Sequence, residues 1–255
     1  MPSASLAGKV VLVIGASSGM GRRFAELAAA AGATVAISAR RAELLNEIAD
    51  TQNALGHRCS AHPADATDAA AAQQVIDQVV DLYGLIDMAV LNAGGAPALD
   101  LTILSADDIT GYMRTNYDVT VNYLVPIVRQ MRSQGSGTIA HTNSLAGWYG
   151  IPLQGPYSAA KAALRVLFDT YRAEYARSGI HFVSIYPGFV RTDATIGDGM
   201  PAPGEIDEDT AAEHMIRAVI GRGESYSFPR STAGLVGVGR IIPARARRAI
   251  LRRLL

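Results

Sequence analysis

The chain has 255 residues, and 49% of them are hydrophobic, enough for a buried core in one large α/β domain or two small ones. Its 23 basic and 23 acidic residues cancel, so no global field draws it toward nucleic acid. A single cysteine, Cys59, excludes an intrachain disulfide and fits a reducing, cytoplasmic setting; no apolar run has transmembrane length, and "MPSASLAGKVVLVIG" lacks the basic segment of a secretion signal.

In chain order, "KVVLVIG" (9–15) reads as a buried strand, followed by a Gly-rich turn and a helix over 22–32 that stops at Gly32. "TVAIS" (34–38) is a second strand, and 42–56 a second helix. "HRCSAHPAD" (57–65) fits a short third strand, and 68–84 a helix from Asp68 to Gly84. "IDMAVLNAG" (86–94) is a fourth strand. Ser105 with Asp108 predicts a capped helix reaching about residue 132. Further strands are expected at 137–144 and 180–188, with a long helix between them. Strand and helix alternate without hairpin signals, and the strands are continuously apolar. That pattern predicts a doubly wound parallel α/β sheet with helices on both faces, in one domain. Residues 193–209, rich in Gly, Pro and acid, are expected to form a flap over a substrate.

"GASSGMG" (15–21) joins the first strand to the first helix. Gly15 suits a tight turn, Gly19 a close backbone approach and Gly21 helix–strand packing. The N–H groups around Ser17, Ser18 and Met20 then favour a phosphate. The second strand ends "SARRAE", where Arg40 stands nineteen residues after Gly21 and Arg41 follows. An acid there would hold a ribose 2′-hydroxyl. Two guanidiniums suit a 2′-phosphate instead, which favours NADP(H) over NAD(H). As solvated residues opening the second helix, the arginines would carry no such meaning.

Tyr157 and Lys161, in "YSAAK", are i and i+4 and share one helix face. The chain uses lysine only twice, at 9 and 161. An ammonium beside a phenol favours the phenolate and is expected to lower the tyrosine pKa toward working pH, making Tyr157 a general acid or base.

With the glycine turn, "NAG" (92–94), a serine thirteen residues before Tyr157 and Y-x-x-x-K in order, the chain resembles the short-chain dehydrogenase/reductase family in its compact form, up to about residue 192. The resemblance implies a Rossmann-like nucleotide fold and interconversion of a ketone or aldehyde with an alcohol. It implies catalytic roles for Asn116, Ser144, Tyr157 and Lys161; Tyr157 and Lys161 would also meet the cofactor, with Lys161 holding the nicotinamide ribose hydroxyls, and Ser144 and Tyr157 would meet the substrate. Asp65 and Ala66 would meet the adenine, and Asn92, Ala93 and Gly94 the ribose. Within "PGFVRT", Pro187, Gly188, Val190 and Thr192 would grip the nicotinamide. The family's glycine motif opens with threonine, which braces the "NAG" loop; Ile14 stands here, so that brace is expected to be missing. Family members pack the helices near 112–132 and 157–176 against a neighbouring subunit, so a homodimer or homotetramer is expected.

Leu145, Trp148 and Gln154, with Phe189 and Met200 opposite, are candidates for a substrate pocket suited to an apolar carbonyl compound. His141 and Ser144 differ by three positions along a strand and should face opposite ways, leaving His141 a packed residue. No cluster has metal-ligand spacing, so no metal is expected. The tail 239–255 carries six arginines and no acid. It is expected as a basic helix with Ile250, Leu251, Leu254 and Leu255 as an apolar stripe, packed on the subunit surface or over the active site, with peripheral contact to an anionic membrane as the alternative. A nucleotide-bound regulator without turnover is the reading that competes with an enzyme.

Overall fold

The computed structural model describes residues 6–192 and 202–251. Seven parallel strands form one sheet in the order β3-β2-β1-β4-β5-β6-β7. They are β1 (Val10–Ile14), β2 (Thr34–Ser38), β3 (Arg58–Ala61), β4 (Met88–Leu91), β5 (Gly137–Thr142), β6 (Ile180–Pro187) and β7 (Ser225–Phe228).

Period-2 alternation explains why the strands read as unbroken apolar runs. Val11 and Val13 of β1 enter one core cluster with Val35, Ile37, Met88 and Val90. Val10, Leu12 and Ile14 enter the other with Ala36, Ala89 and Leu91. Both faces are therefore covered, and every β1 residue is buried. Helices α1 (Gly19–Ala30) and α2 (Ala42–Ala54), with α7 (Glu208–Gly221), cover the first face. Helices α3 (Ala69–Tyr83), α5 (Val119–Gln134) and α6 (Gly155–Glu174) cover the second.

Several boundaries move from the sequence expectation. The first helix begins at Gly19 rather than 22, inside the glycine turn. The helix expected from Ser105 to about 132 opens with the anticipated capping box, Ser105 Oγ accepting from Asp108 N at 3.1 Å. It is not continuous: α4 (Ala106–Met113) passes through a π-helical turn, Arg114–Asp118, before α5. The flap is also shorter than 193–209. An isolated bridge pairs Val190 with Ile206, and Asp207 caps α7, so residues 208 and 209 are helical. The expected flap residues 193–201 lie outside the described residues. β7, α8 (Arg230–Ile241) and α9 (Ala244–Leu251) complete the order, and the single helix expected for the tail is divided at Ile242 and Pro243.

In a doubly wound sheet, the crevice opens at the carboxyl ends of the strands where the order reverses, here between β1 and β4. Most of the candidate residues line that edge.

Candidate active site

A cleft of about 740 Å³ runs along this edge. At one end is the glycine turn. Gly15 (φ +82) and Gly19 (φ +59) use the left-handed region that other residues avoid. A Cβ on Gly15 would stand 2.7 Å from Ala93 N, and one on Gly21 2.2 Å from the Gly15 carbonyl. The turn thus lies directly on the "NAG" loop, and Gly21 sits behind it rather than in the cleft. The N-cap residue of α1, Ser18, makes no side-chain cap, and no acid occupies the first turn. The helix N-terminus therefore keeps its partial positive charge for an anion. On the cleft side, a Cβ on Gly19 would meet nothing nearer than the Thr192 methyl, 3.6 Å away. An open backbone, an uncapped helix start and adjacent guanidiniums fit a dinucleotide phosphate.

The missing threonine is compensated. Ile14 is buried in the second core cluster, and Asn92 takes over the bracing. Its Nδ2 donates to the Gly15 carbonyl (3.3 Å), while its Oδ1 accepts from Thr142 Oγ1 (2.9 Å).

Arg40 and Arg41 both line the cleft beside the turn. Arg41 donates to Ser17 Oγ (2.8 Å) and Ser18 Oγ (2.7 Å), tying the end of β2 to the turn. Asp65 accepts from Thr67 N and Thr67 Oγ1, both at 2.9 Å. These bonds, with the Arg40 charge as a smaller influence, hold its carboxyl below the ordinary range.

Further along the cleft are Ser144, Tyr157 and Lys161. The Pro156 ring at the start of α6 suits a first helical turn, and Tyr157 and Lys161 follow on its inner face. Ser144 ends the strand–loop segment after β5, its Oγ accepting from Ala146 N at 3.1 Å. Asn143 locks α6 to this loop: its Nδ2 donates to the Lys161 carbonyl (3.0 Å), and its Oδ1 accepts from Ser144 N (2.8 Å). Asn116 sits on the π-helical turn, 1% exposed. Its Oδ1 accepts from Gly95 N at 3.1 Å. A Cβ on Gly94 would stand 2.9 Å from that oxygen and 3.7 Å from Lys161 Nζ, so the amide and the ammonium back the same glycine.

The electrostatics correct one expectation. The Lys161 ammonium donates to the Thr142 carbonyl at 2.7 Å and lies 5.5 Å from the Tyr157 ring centre. It does not pull the phenol down. Burial pushes Tyr157 up to about 12, the Ser144 side chain opposes this, and Tyr112 adds to it. Burial also brings Lys161 down to about 8. Desolvation of the charged form is the leading cause for both groups.

Trp148 is not a lining residue. It stacks on Tyr186 (5.4 Å between centroids) and lies between Arg165 and Arg240, whose guanidinium carbons stand 4.7 and 3.6 Å from its ring centre. Its place is taken by Ile151, Thr232 and Val236, which line the cleft with Leu145, Gln154 and Phe189. Nothing in the sequence pointed to Thr232 or Val236, since α8 meets the site only through tertiary packing. Tyr112 was also missed; it shares α4 with no motif and enters from the side. Met200 lies outside the described residues. His141 is buried against Phe168, 3.9 Å between centroids, and burial holds its pKa well below the ordinary value.

A nucleotide crevice, with a serine, a tyrosine and a lysine on its wall, defines a dehydrogenase-type site. A family model described as short chain dehydrogenase matches residues 9–199. The chain belongs to the short-chain dehydrogenase/reductase family, and is an oxidoreductase. An uncharacterized oxidoreductase of Mycobacterium tuberculosis is 34% identical over 87% of this chain and 67% of its own. A protein of Sesamum indicum named 11-beta-hydroxysteroid dehydrogenase A is 32% identical over 88% of this chain and 69% of its own. Among solved structures, a Thermococcus sibiricus alcohol dehydrogenase complexed with 5-hydroxy-NADP superimposes with a TM-score of 0.76 at 26% identity, covering 86% of this chain and 95% of that one. A Burkholderia phymatum short-chain dehydrogenase/reductase in complex with NAD shares the fold, with a TM-score of 0.83 at 23% identity, covering 91% and 93%.

Proposed function

We propose that the protein reduces an apolar ketone or aldehyde with NADPH, and runs the reverse oxidation, with Tyr157 as the proton-transfer group. Gly15, Ser17, Ser18, Gly19 and Arg40 would hold NADPH along the cleft, and when bound it would supply the hydride for the carbonyl carbon. Tyr157 gives its phenolic proton to the carbonyl oxygen as that oxygen gains charge. Ser144, oriented by Ala146 N, donates a hydrogen bond to the same oxygen. Lys161 keeps positive charge beside the phenolate left behind, and Asn116 holds the polar wall behind it. A phenol near 12 is a neutral donor at working pH, which suits the reductive direction.

Arg40 and Arg41 beside the phosphate turn support the NADP(H) preference, as guanidiniums suit a 2′-phosphate. Leu145, Ile151, Phe189 and Val236 support an apolar substrate, and the hydroxysteroid dehydrogenase name of the sesame relative agrees with a bulky one. Ser144, Tyr157 and Lys161 together on the wall of one crevice, with Asn116 buried behind its Gly94–Gly95 loop, carry the reading. It is tested by following oxidation of NADPH and of NADH by purified protein against a panel of apolar ketones and aldehydes. Turnover with NADPH is expected. NADPH binding without turnover on any carbonyl would make the protein a nucleotide-bound regulator instead. We also propose self-association as a homodimer or homotetramer, to be measured by sedimentation.

A further inference from the structure

Helix α8 has two unlike sides. Thr232 and Val236 line the cleft, and Gly239 lies against Tyr149. Leu235, Val238 and Ile241 occupy an adjoining face and are 67%, 59% and 86% exposed. On α9, Ile250 is 56% exposed, and Arg245 and Arg248 are exposed on the opposite side of the same helix. Soluble surfaces carry isolated apolar side chains routinely, but not aligned at helical spacing on a basic segment.

The charge is partitioned as well. Residues 225–255 hold seven arginines and no acid, so the first 224 residues carry a formal net charge of −7 in a chain whose total is zero. Arg240 and Arg247 are used to dock the helices, over Trp148 and Tyr149. Arg245 and Arg248 face solvent.

We propose that the exposed face of α8 and α9 is a peripheral docking surface for an anionic lipid bilayer. Apolar side chains flanked by arginine match the acyl boundary and the headgroup layer together. A second copy of this chain is the poorer complement, since a two-fold contact here would set the arginine-rich segments against each other. Contact must be peripheral, because no helix among the described residues is long and apolar enough to span a membrane. The proposal does not depend on which reaction the cleft performs.

The test is co-sedimentation of the full chain with phosphatidylcholine vesicles, with and without phosphatidylserine, alongside light scattering for oligomeric state. Binding at least about tenfold stronger to the phosphatidylserine vesicles is expected at about 0.1 M salt, with release near 1 M, where the Debye length falls to about 3 Å. Leu235→Ser/Val238→Ser/Ile241→Ser and Arg245→Glu/Arg248→Glu should each lose at least about tenfold in binding, with unchanged circular dichroism. The salt response stands even if a variant misfolds. Equal or no sedimentation on both vesicle types overturns the proposal. So does wild-type binding by the folded triple-serine variant. If that variant instead breaks an oligomer, and the wild type ignores phosphatidylserine, the face is a subunit interface.

Discussion

Lys161 donates its ammonium proton to the Thr142 carbonyl at 2.7 Å while standing 5.5 Å from the ring of Tyr157. The cation therefore belongs to the wall behind the phenol rather than to a direct pair with it. In the proposed reaction its electrostatic use would come once Tyr157 had given up its proton and a negative charge had appeared beside it.

Removing the phenolic hydroxyl separates proton transfer from binding. Tyr157→Phe keeps the ring and the α6 backbone, so the fold and NADPH affinity should be unchanged. Turnover should fall by about 10²–10⁴, the usual contribution of a positioned acid. Steady-state kinetics beside fluorescence titration of NADPH checks both; retained turnover would reject the assigned role.

Arg40→Ala tests coenzyme choice. Loss of a charge-assisted contact to a 2′-phosphate should weaken NADPH binding about tenfold to a hundredfold and leave NADH unchanged. Equal effects on the two coenzymes would mean that the arginine serves the fold and not the phosphate.

The pH dependence of coenzyme binding should report Lys161. In the free protein its pKa is about 8, so the ammonium is present below that pH and lost above it. NADPH affinity is expected to be level from about pH 7 to 8, above the second ionisation of the 2′-phosphate, and to decline beyond pH 8 as the ammonium charge disappears. Lys161→Met should bind more weakly and lack this limb. Tyr157, near 12, stays protonated throughout and contributes no limb of its own.

His141 should set part of the acid sensitivity. Burial, with the Lys161 and Arg172 charges, keeps its folded pKa well below 6.5. The unfolded chain then binds the extra proton, so stability is full above pH 6.5 and declines as pH falls below it. His141→Leu should lessen that decline. Urea unfolding of both proteins at two pH values measures the difference.

Gly21→Ala probes the turn. The new Cβ would lie 2.2 Å from the Gly15 carbonyl and 2.6 Å from Asn92 Nδ2, backbone and brace at once. A loss of about 1–3 kcal/mol in stability is expected, together with weakened NADPH binding, in the same two measurements.

Much of this site could be read along the chain because its parts are local. The glycine turn, Arg40 and Arg41, and the Tyr157–Lys161 pair each follow from spacing within one strand–turn–helix or one helix face. Buried parallel strands announce themselves by unbroken apolar runs, as β1 does. The π-helical turn that presents Asn116 left no such trace, since its residues suit an α-helix equally well. Trp148 was misread because an aromatic ring near a catalytic serine gives no hint that two arginines, one of them from α8, will enclose it.

From composition and local spacing came the sheet class, the glycine turn and the shared helix face of Tyr157 and Lys161, because short-range geometry dictates each; the proton-transfer role proposed for Tyr157 came from the family resemblance. Only the tertiary structure decided which residues close the substrate end and which way the tyrosine titrates. Those outcomes depend on what α8 packs against and on how much water the assembled wall excludes, and neither quantity is carried by any single stretch of the chain.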